Sequence, residues 1–278
     1  MRPPIVKHSK KNNVVYPFRN FFKILQNALI KQRVKNTAGL LFIILFNENI
    51  LMLILAIDTA SIYCAVALIR HKSVIARISE RMNKGHAEKL IRYITQVTEQ
   101  ANMTLSQVDR IAVNIGPGSF TGVRVGVSTA RALALALEIP AVGVSALEAL
   151  AMHATNKNTT LAISVVIEAG RDMFYHQNFN EDLTPLGEPG LKTIENIIKD
   201  LPQQIRLTGP AAHIVALHIK NNRINKKVIL DQTLCEAADI VSYAHLAASK
   251  QPQDRPCPLY LRSADIKQQT GFSLPRKK

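Results

Sequence analysis

Residues 114–126, Asn-Ile-Gly-Pro-Gly-Ser-Phe-Thr-Gly-Val-Arg-Val-Gly, constrain the fold more than any other stretch of the chain. A strand pattern over 110–115 runs into a glycine-rich loop, 116–122, and then at once into a helical pattern over 121–137. Gly116, Gly118 and Gly122 permit backbone angles closed to other residues, and Pro117 fixes one φ. Ser119 or Thr121 can cap the helix that follows. A junction of this kind belongs to a sheet with helices packed on it. The helix itself is unusual. Gly122, Gly126, Ala130 and Ala134 recur every four residues, so small side chains line one face. Val123, Val127, Leu133, Leu135 and Leu137 spread over the others. A helix apolar nearly all round is buried on more than one side. One side meets the sheet; the other meets a second helix, either of this chain or of a partner.

The flanking pattern supplies the sheet. Short apolar or alternating runs at 53–57, 63–69 and 73–79 predict an antiparallel meander. Residues 86–101 then turn helical, with Ala87, Leu90, Ile91, Ile94, Val97 and Ala101 falling at i, i+3, i+4, i+7 spacing. A strand at 141–144 and a helix capped by Ser145 complete a βββαβαβα order, which describes a mixed sheet with flanking helices. The polar stretch 156–160 reads as a domain boundary. Beyond it, strands are expected at 161–168, 173–179, 205–208 and 228–230, and helices at 193–201, 211–219 and 236–249. A short strand is expected at 259–262. The second half opens on paired strands, as the first does.

Charge and cysteine content narrow the function classes. With 35 Lys+Arg against 20 Asp+Glu, the formal charge of the 278 residues is +15, a value that ordinarily points to nucleic acid or an anionic membrane surface. It is unevenly spread: residues 1–51 contribute +8 and the remainder +7. The apolar run 38–46 is well short of the roughly 18–20 residues a spanning helix needs, and no small-residue cleavage site follows it. Residues 1–51 are therefore expected to be a basic extension outside the fold, an appendage or a mis-assigned start, with Met52 opening the domain. Cys64, Cys235 and Cys257 form neither a disulfide framework nor a metal spacing, which suits a reducing cytosol.

Several turns carry chemistry. The 116–122 loop at a helix N-terminus can cradle a phosphate through free amides and the helix dipole; it can equally be a tight crossover that needs no ligand. It is neither a P-loop nor a dinucleotide fingerprint. Asp58 and Thr59, followed by Ala60 and Ser61, place a carboxylate and two hydroxyls in the turn after the first strand, either facing a nucleotide or closing the turn on itself. Glu168-Ala169-Gly170 ends the first strand of the second half in a similar way. Arg124 and Arg131, seven apart, need a carboxylate, a phosphate or solvent. The histidines oppose a helical metal pair, since Leu90 stands four residues after His86 and His213 and His218 are five apart.

The runs Leu53-Ile-Leu-Ala-Ile-Asp-Thr-Ala60, Gly116-Pro-Gly-Ser-Phe-Thr-Gly-Val-Arg124 and Val142-Gly-Val-Ser145 closely resemble the TsaB (YeaZ) family. These are bacterial dimerization subunits of the machinery that makes tRNA threonylcarbamoyladenosine. The late Pro258-Leu-Tyr-Leu-Arg262 is similar to that family's C-terminal segment. The resemblance covers about residues 52–265 and implies an actin-like (ASKHA) α/β fold of two ribonuclease-H-like domains. The first would span 52–155 and carry the partner-binding helices; the second, 156–278, would include the C-terminal tail. It implies a cytoplasmic, non-catalytic scaffold with no catalytic residue, no metal and no required cofactor, although ATP or ADP in the cleft stays open. TsaB-like proteins pair with the catalytic paralogue TsaD through helices of the first domain, and the ATPase TsaE joins the assembly. Carried onto this chain, the interface residues are Leu90, Ile91, Ile94, Val97, Gly122, Gly126, Ala130 and Ala134. The anion- or nucleotide-facing positions are Asp58, Thr59, Gly116, Gly118, Ser119, Thr121 and Arg124. TsaD-like proteins hold a paired-histidine metal site on the first of these helices; the lone His86 fits the non-catalytic branch.

The resemblance implies that tRNA is the substrate of the complex, which transfers a threonylcarbamoyl group to the adenosine next to the anticodon. A homodimer of the chain alone is open, and no membrane is expected. Two rival readings stand beside this one. The chain could be an actin-like ATPase or phosphotransferase using Asp58, the 116–122 loop and the 168–170 turn. It could also bind tRNA directly through basic residues, with a steep dependence on salt.

Overall fold

The computed structural model describes residues 52–71, 73–82, 84–155, 161–231, 236–252 and 255–262. The expected extension over 1–51 and the expected boundary over 156–160 lie outside the described residues. Strands β1 (Leu53–Asp58), β2 (Tyr63–Arg70) and β3 (Ser73–Arg81) form the meander, followed by α1 (His86–Gln100). Then come β4 (Arg110–Asn114), α2 (Phe120–Leu137), β5 (Ala141–Val144) and α3 (Ala146–Thr155). The second half holds β6 (Ile163–Gly170), β7 (Met173–Phe179), β8 (Gly190–Lys192), α4 (Ile194–Asp200), β9 (Gln204–Thr208), α5 (Ala212–Asn221), β10 (Lys227–Leu230) and α6 (Ile240–Ser249).

The two sheets repeat one topology. The first runs β3-β2-β1-β4-β5 and the second β10-β9-β6-β7-β8, which is the same order read from the other edge. In each, the opening strand pairs antiparallel with the next and parallel with the fourth. A mixed five-stranded sheet of this order is the ribonuclease-H-like unit, and two in tandem make the actin-like α/β fold.

Alternation along β1 explains why both faces of the first sheet are covered. Leu53, Leu55 and Ile57 face α1 and α2, meeting Leu90, Ile94, Val97, Val123, Val127 and Ala130. Ile54 and Ala56 face the other way with Ala65, Ala67 and Ala112, where small side chains let α6 lie close through Tyr243, Ala244 and Ala247. A strand buried on both faces reads as an unbroken apolar run, as residues 53–57 do. Arg110 fastens α6 from its end, donating through Nη1 to the carbonyls of Ala247 at 2.5 Å and Lys250 at 2.9 Å.

The halves interlock, which the expected division at 155/156 did not foresee. Helix α3, from the first half, packs Leu147, Leu150, Ala151 and Ala154 against Ile163, Val165 and Phe179 of the second sheet. Helix α6, from the second half, covers the first sheet. The physical reason is composition: both helices are apolar on more than one side, so each is shared between the sheets. Glu148 of α3 and Lys250 after α6 are joined at 2.8 Å. Two smaller expectations are also corrected. Helix α6 begins at Ile240, where Asp239 caps it, rather than at 236. Residues 259–262 form no strand; the Leu259 amide donates to the Ile115 carbonyl at 2.8 Å.

Candidate functional site

The turn after β1 and the loop before α2, both expected to face an anion or nucleotide, hydrogen-bond to each other. Asp58 ends β1 and is 2% exposed. Its Oδ1 accepts from the amides of Ala60 (2.9 Å) and Ser61 (3.2 Å) and from Asn114 Nδ2 (2.8 Å). Burial pushes this carboxyl above its ordinary range, while those hydrogen bonds oppose the shift. Asn114 also accepts from the Gly116 amide through Oδ1 at 2.8 Å. Thr59 donates its hydroxyl to the Gly122 carbonyl at 2.7 Å. The Ser119 amide donates to the Ala60 carbonyl at 2.8 Å, and Ser119 Oγ, the cap of α2, accepts from the Gly122 amide at 3.2 Å. The amides of Gly116, Ser119 and Gly122 are thus spent on structure. A Cβ at Gly118 would stand 2.3 Å from the Ala60 carbonyl oxygen, so glycine is needed there for the approach of the β1 turn. Thr121 and Arg124 remain exposed at the start of α2.

The small-residue stripe faces inward, which corrects the expected interface. A Cβ at Gly122 would lie 1.9 Å from the Thr59 carbonyl oxygen, and one at Gly126 would lie 2.7 Å from Thr59 Oγ1. Glycine at these positions lets the α2 backbone lie on the end of β1. Gly122, Gly126 and Ala130 are buried in the chain, as are Leu90, Ile94 and Val97, and Ala134 packs partly on the same core. Of the eight expected interface residues, Ile91 alone is exposed, at 57%.

What α1 and α2 leave open is a different set of side chains. The sheet order makes the helices parallel to each other, both running against β4, and they touch. Ala87, Ile91 and Thr95 of α1 face outward together. So do Arg124, Ser128, Arg131 and Leu135 of α2, with Leu135 at 74% exposure. Only 28% of α2 is buried, although it is long and apolar enough to cross a membrane. Its contacts with β1 and β4 tie it to the sheet instead. The mixed polar and apolar spacing of this outer face escapes a search for apolar periodicity, which is why the sequence pointed to the inner one.

A cluster at the start of α2 was also missed. Arg124 lies over the Phe120 ring, Cζ 3.7 Å from its centroid, and donates from Nε to the Tyr260 hydroxyl at 2.9 Å. The two rings are 5.2 Å apart and remain 41% and 47% exposed. The segment holding Tyr260 straps the halves together: Leu259 pairs with Ile115, and Arg262 donates to the Ala169 carbonyl at 2.8 Å, in the second acidic turn. Among the described residues no group of three or more His, Cys, Asp or Glu could hold a metal ion.

Fold and site together define an actin-like protein of two interlocked halves, in which the turn after β1 and the loop before α2 are joined by hydrogen bonds. Comparison with known proteins gives the family. The family model described as TsaD, tRNA N6-adenosine threonylcarbamoyltransferase, matches residues 74–252. The tRNA threonylcarbamoyladenosine biosynthesis protein TsaB of Buchnera aphidicola (Schizaphis graminum) is 37% identical over 164 residues, covering 56% of this chain and 78% of the relative. TsaB of Escherichia coli K12 is 35% identical over 131 residues, 47% of this chain and 56% of the relative. The solved structure of YeaZ from Pseudomonas aeruginosa superposes with a TM-score of 0.62 at 26% identity, covering 76% of this chain and all of that one. The chain belongs to the TsaB family.

Proposed function

We propose that the chain is a non-catalytic subunit of tRNA threonylcarbamoyladenosine biosynthesis that pairs with a TsaD-type partner through the outer faces of α1 and α2. The pathway follows from the family. The pairing rests on one observation above all: α2 is long and apolar overall, yet its own chain buries only 28% of it. Isolated exposed apolar residues are ordinary, but Ile91 and Leu135 on adjoining helices, flanked by alanines, match the apolar core of an interface. The match of a TsaD family model to this chain supports a partner of related architecture, offering a similar helix pair. A helix bundle formed between the two would cover both faces.

In this reading the complex acts in the cytoplasm on the adenosine next to the anticodon, a TsaE-type ATPase joins it, and this subunit needs no nucleotide of its own. The buried, turn-capping role of Asp58 disfavours the ATPase reading, since a carboxylate that positions a metal–nucleotide must reach solvent. Size-exclusion chromatography with mass measurement tests the pairing. A one-to-one complex with the cognate TsaD-type protein is expected, and separate elution of the two at micromolar concentration contradicts it.

A further inference from the structure

The second half carries a basic surface that pairing does not use. From 201 to 230 the chain has no Asp or Glu, and from 180 to 242 it has no Phe, Tyr or Trp. Lys220, at the end of α5, Arg223, in the turn, and Lys227, opening β10, are all exposed. Their backbones hydrogen-bond in the turn, but none of the three side chains has an ion-pair or hydrogen-bond partner among the described residues. Lys220 and Arg223 rim an open cleft of about 550 Å³ between α5 and β10, floored by Ile219, Ile224 and Val228, and Lys227 precedes Val228 of that floor in β10.

Neighbouring groups leave this charge unneutralised. Lys226, which also lines the cleft, spends its ammonium on the Leu201 carbonyl and anchors the turn. Asp200 is taken by Lys192 at 2.6 Å, and Asp231 is 5% exposed. The negative end of the α5 dipole accounts for a cation at Lys220. It does not account for Arg223 and Lys227, which lie beyond the helix; Arg223 has φ +50°, so it turns the chain from α5 into the edge strand.

We infer that Lys220, Arg223 and Lys227 bind the phosphodiester backbone of RNA, an inference that rests on the chain's proposed place in a tRNA-modifying complex. Cations without aromatic neighbours are suited to phosphates, which position a nucleic acid without reading its bases. A protein interface would draw on aromatic anchors, and a single-stranded site would need rings for stacking; neither exists here.

Fluorescence anisotropy with a tRNA transcript, from about 50 to 300 mM salt, tests this for the full chain alone and in its complex. The triple variant Lys220→Glu, Arg223→Glu, Lys227→Glu is expected to bind roughly tenfold or more weakly at the lower salt, with the log–log slope reduced by about 2–3. The corresponding triple alanine variant should show the same direction and keeps the test open if the glutamate variant does not fold. Co-elution with the TsaD-type partner should be unchanged, so failure of pairing and failure of RNA contact are read separately. Wild-type affinity and slope in the variants overturn the inference. So does an equal loss in the control Arg70→Glu, Lys84→Glu, or loss of an acidic protein partner with tRNA binding intact.

Discussion

Thr59 donates its hydroxyl to the carbonyl of Gly122 at 2.7 Å, tying the end of β1 to the first turn of α2. The bond can form only because residue 122 has no side chain, and the same closeness brings Ser119 and Gly118 onto Ala60. The glycine loop therefore joins β1 to α2 through their backbones.

Replacing that glycine tests the joint. In Gly122→Ala the new methyl would lie 1.9 Å from the Thr59 carbonyl oxygen, so β1 and α2 must separate. Overpacking against backbone costs about 3 kcal/mol or more. Urea denaturation should show the loss, whereas Thr121→Ala, at an exposed neighbour, should change stability by less than about 0.5 kcal/mol.

A buried histidine sets a pH limit on the second half. His176 Nε2 lies 2.9 Å from Ser164 Oγ, and burial, aided by the charge of Lys192, pushes its pKa down from the ordinary 6.5 to about 4. Above pH 6.5 the imidazole is neutral in both folded and unfolded chains, so it adds no pH dependence. As pH falls from 6.5 to 4 the unfolded chain takes up the proton first, and stability drops by about 3 kcal/mol before levelling. Denaturation midpoints measured across that range should follow this slope in the wild type, and His176→Gln should flatten it.

The two described cysteines should differ sharply in reactivity. Cys64 is fully buried in β2, and burial pushes its thiol up to about 11; Cys257 is exposed. Alkylation at pH 8 followed by peptide mass mapping should label Cys257 in the native chain and Cys64 only after unfolding. Labelling of both at one rate contradicts the packing of the first sheet.

Much of this was legible from the amino acids. The alternation of residues 53–57, the glycine loop and the periodicity of 86–101 gave the order of the first half, because strand and helix periods are local properties. What was not legible depended on neighbours distant in sequence. The stripe Gly122–Gly126–Ala130 says that something comes close, but not that it is Thr59 on β1. The exchange of α3 and α6 between sheets leaves no mark in either helix beyond an excess of apolar residues. The Arg124–Tyr260 contact joins positions 136 apart, and no local pattern announces it.

That contact predicts an anchor for the partner. Exposed aromatic and arginine side chains, held in place by one another, are the residue types that dominate interface energetics. Tyr260→Ala should weaken pairing with the TsaD-type protein by about tenfold, as read by titration calorimetry, with thermal stability nearly unchanged because the ring is 47% exposed. An unchanged affinity would place the cluster outside the interface.

The central claim is that the outer faces of α1 and α2, and not the small-residue stripe, hold the partner. The most direct measurement is size-exclusion chromatography with mass detection of Ile91→Arg, Leu135→Arg mixed with the cognate TsaD-type protein. Both side chains are exposed, at 57% and 74%, so the variant should fold and melt like the wild type. The account predicts that it elutes apart from the partner while the wild type elutes as a one-to-one complex. Co-elution of the folded variant at wild-type stoichiometry and affinity would contradict it.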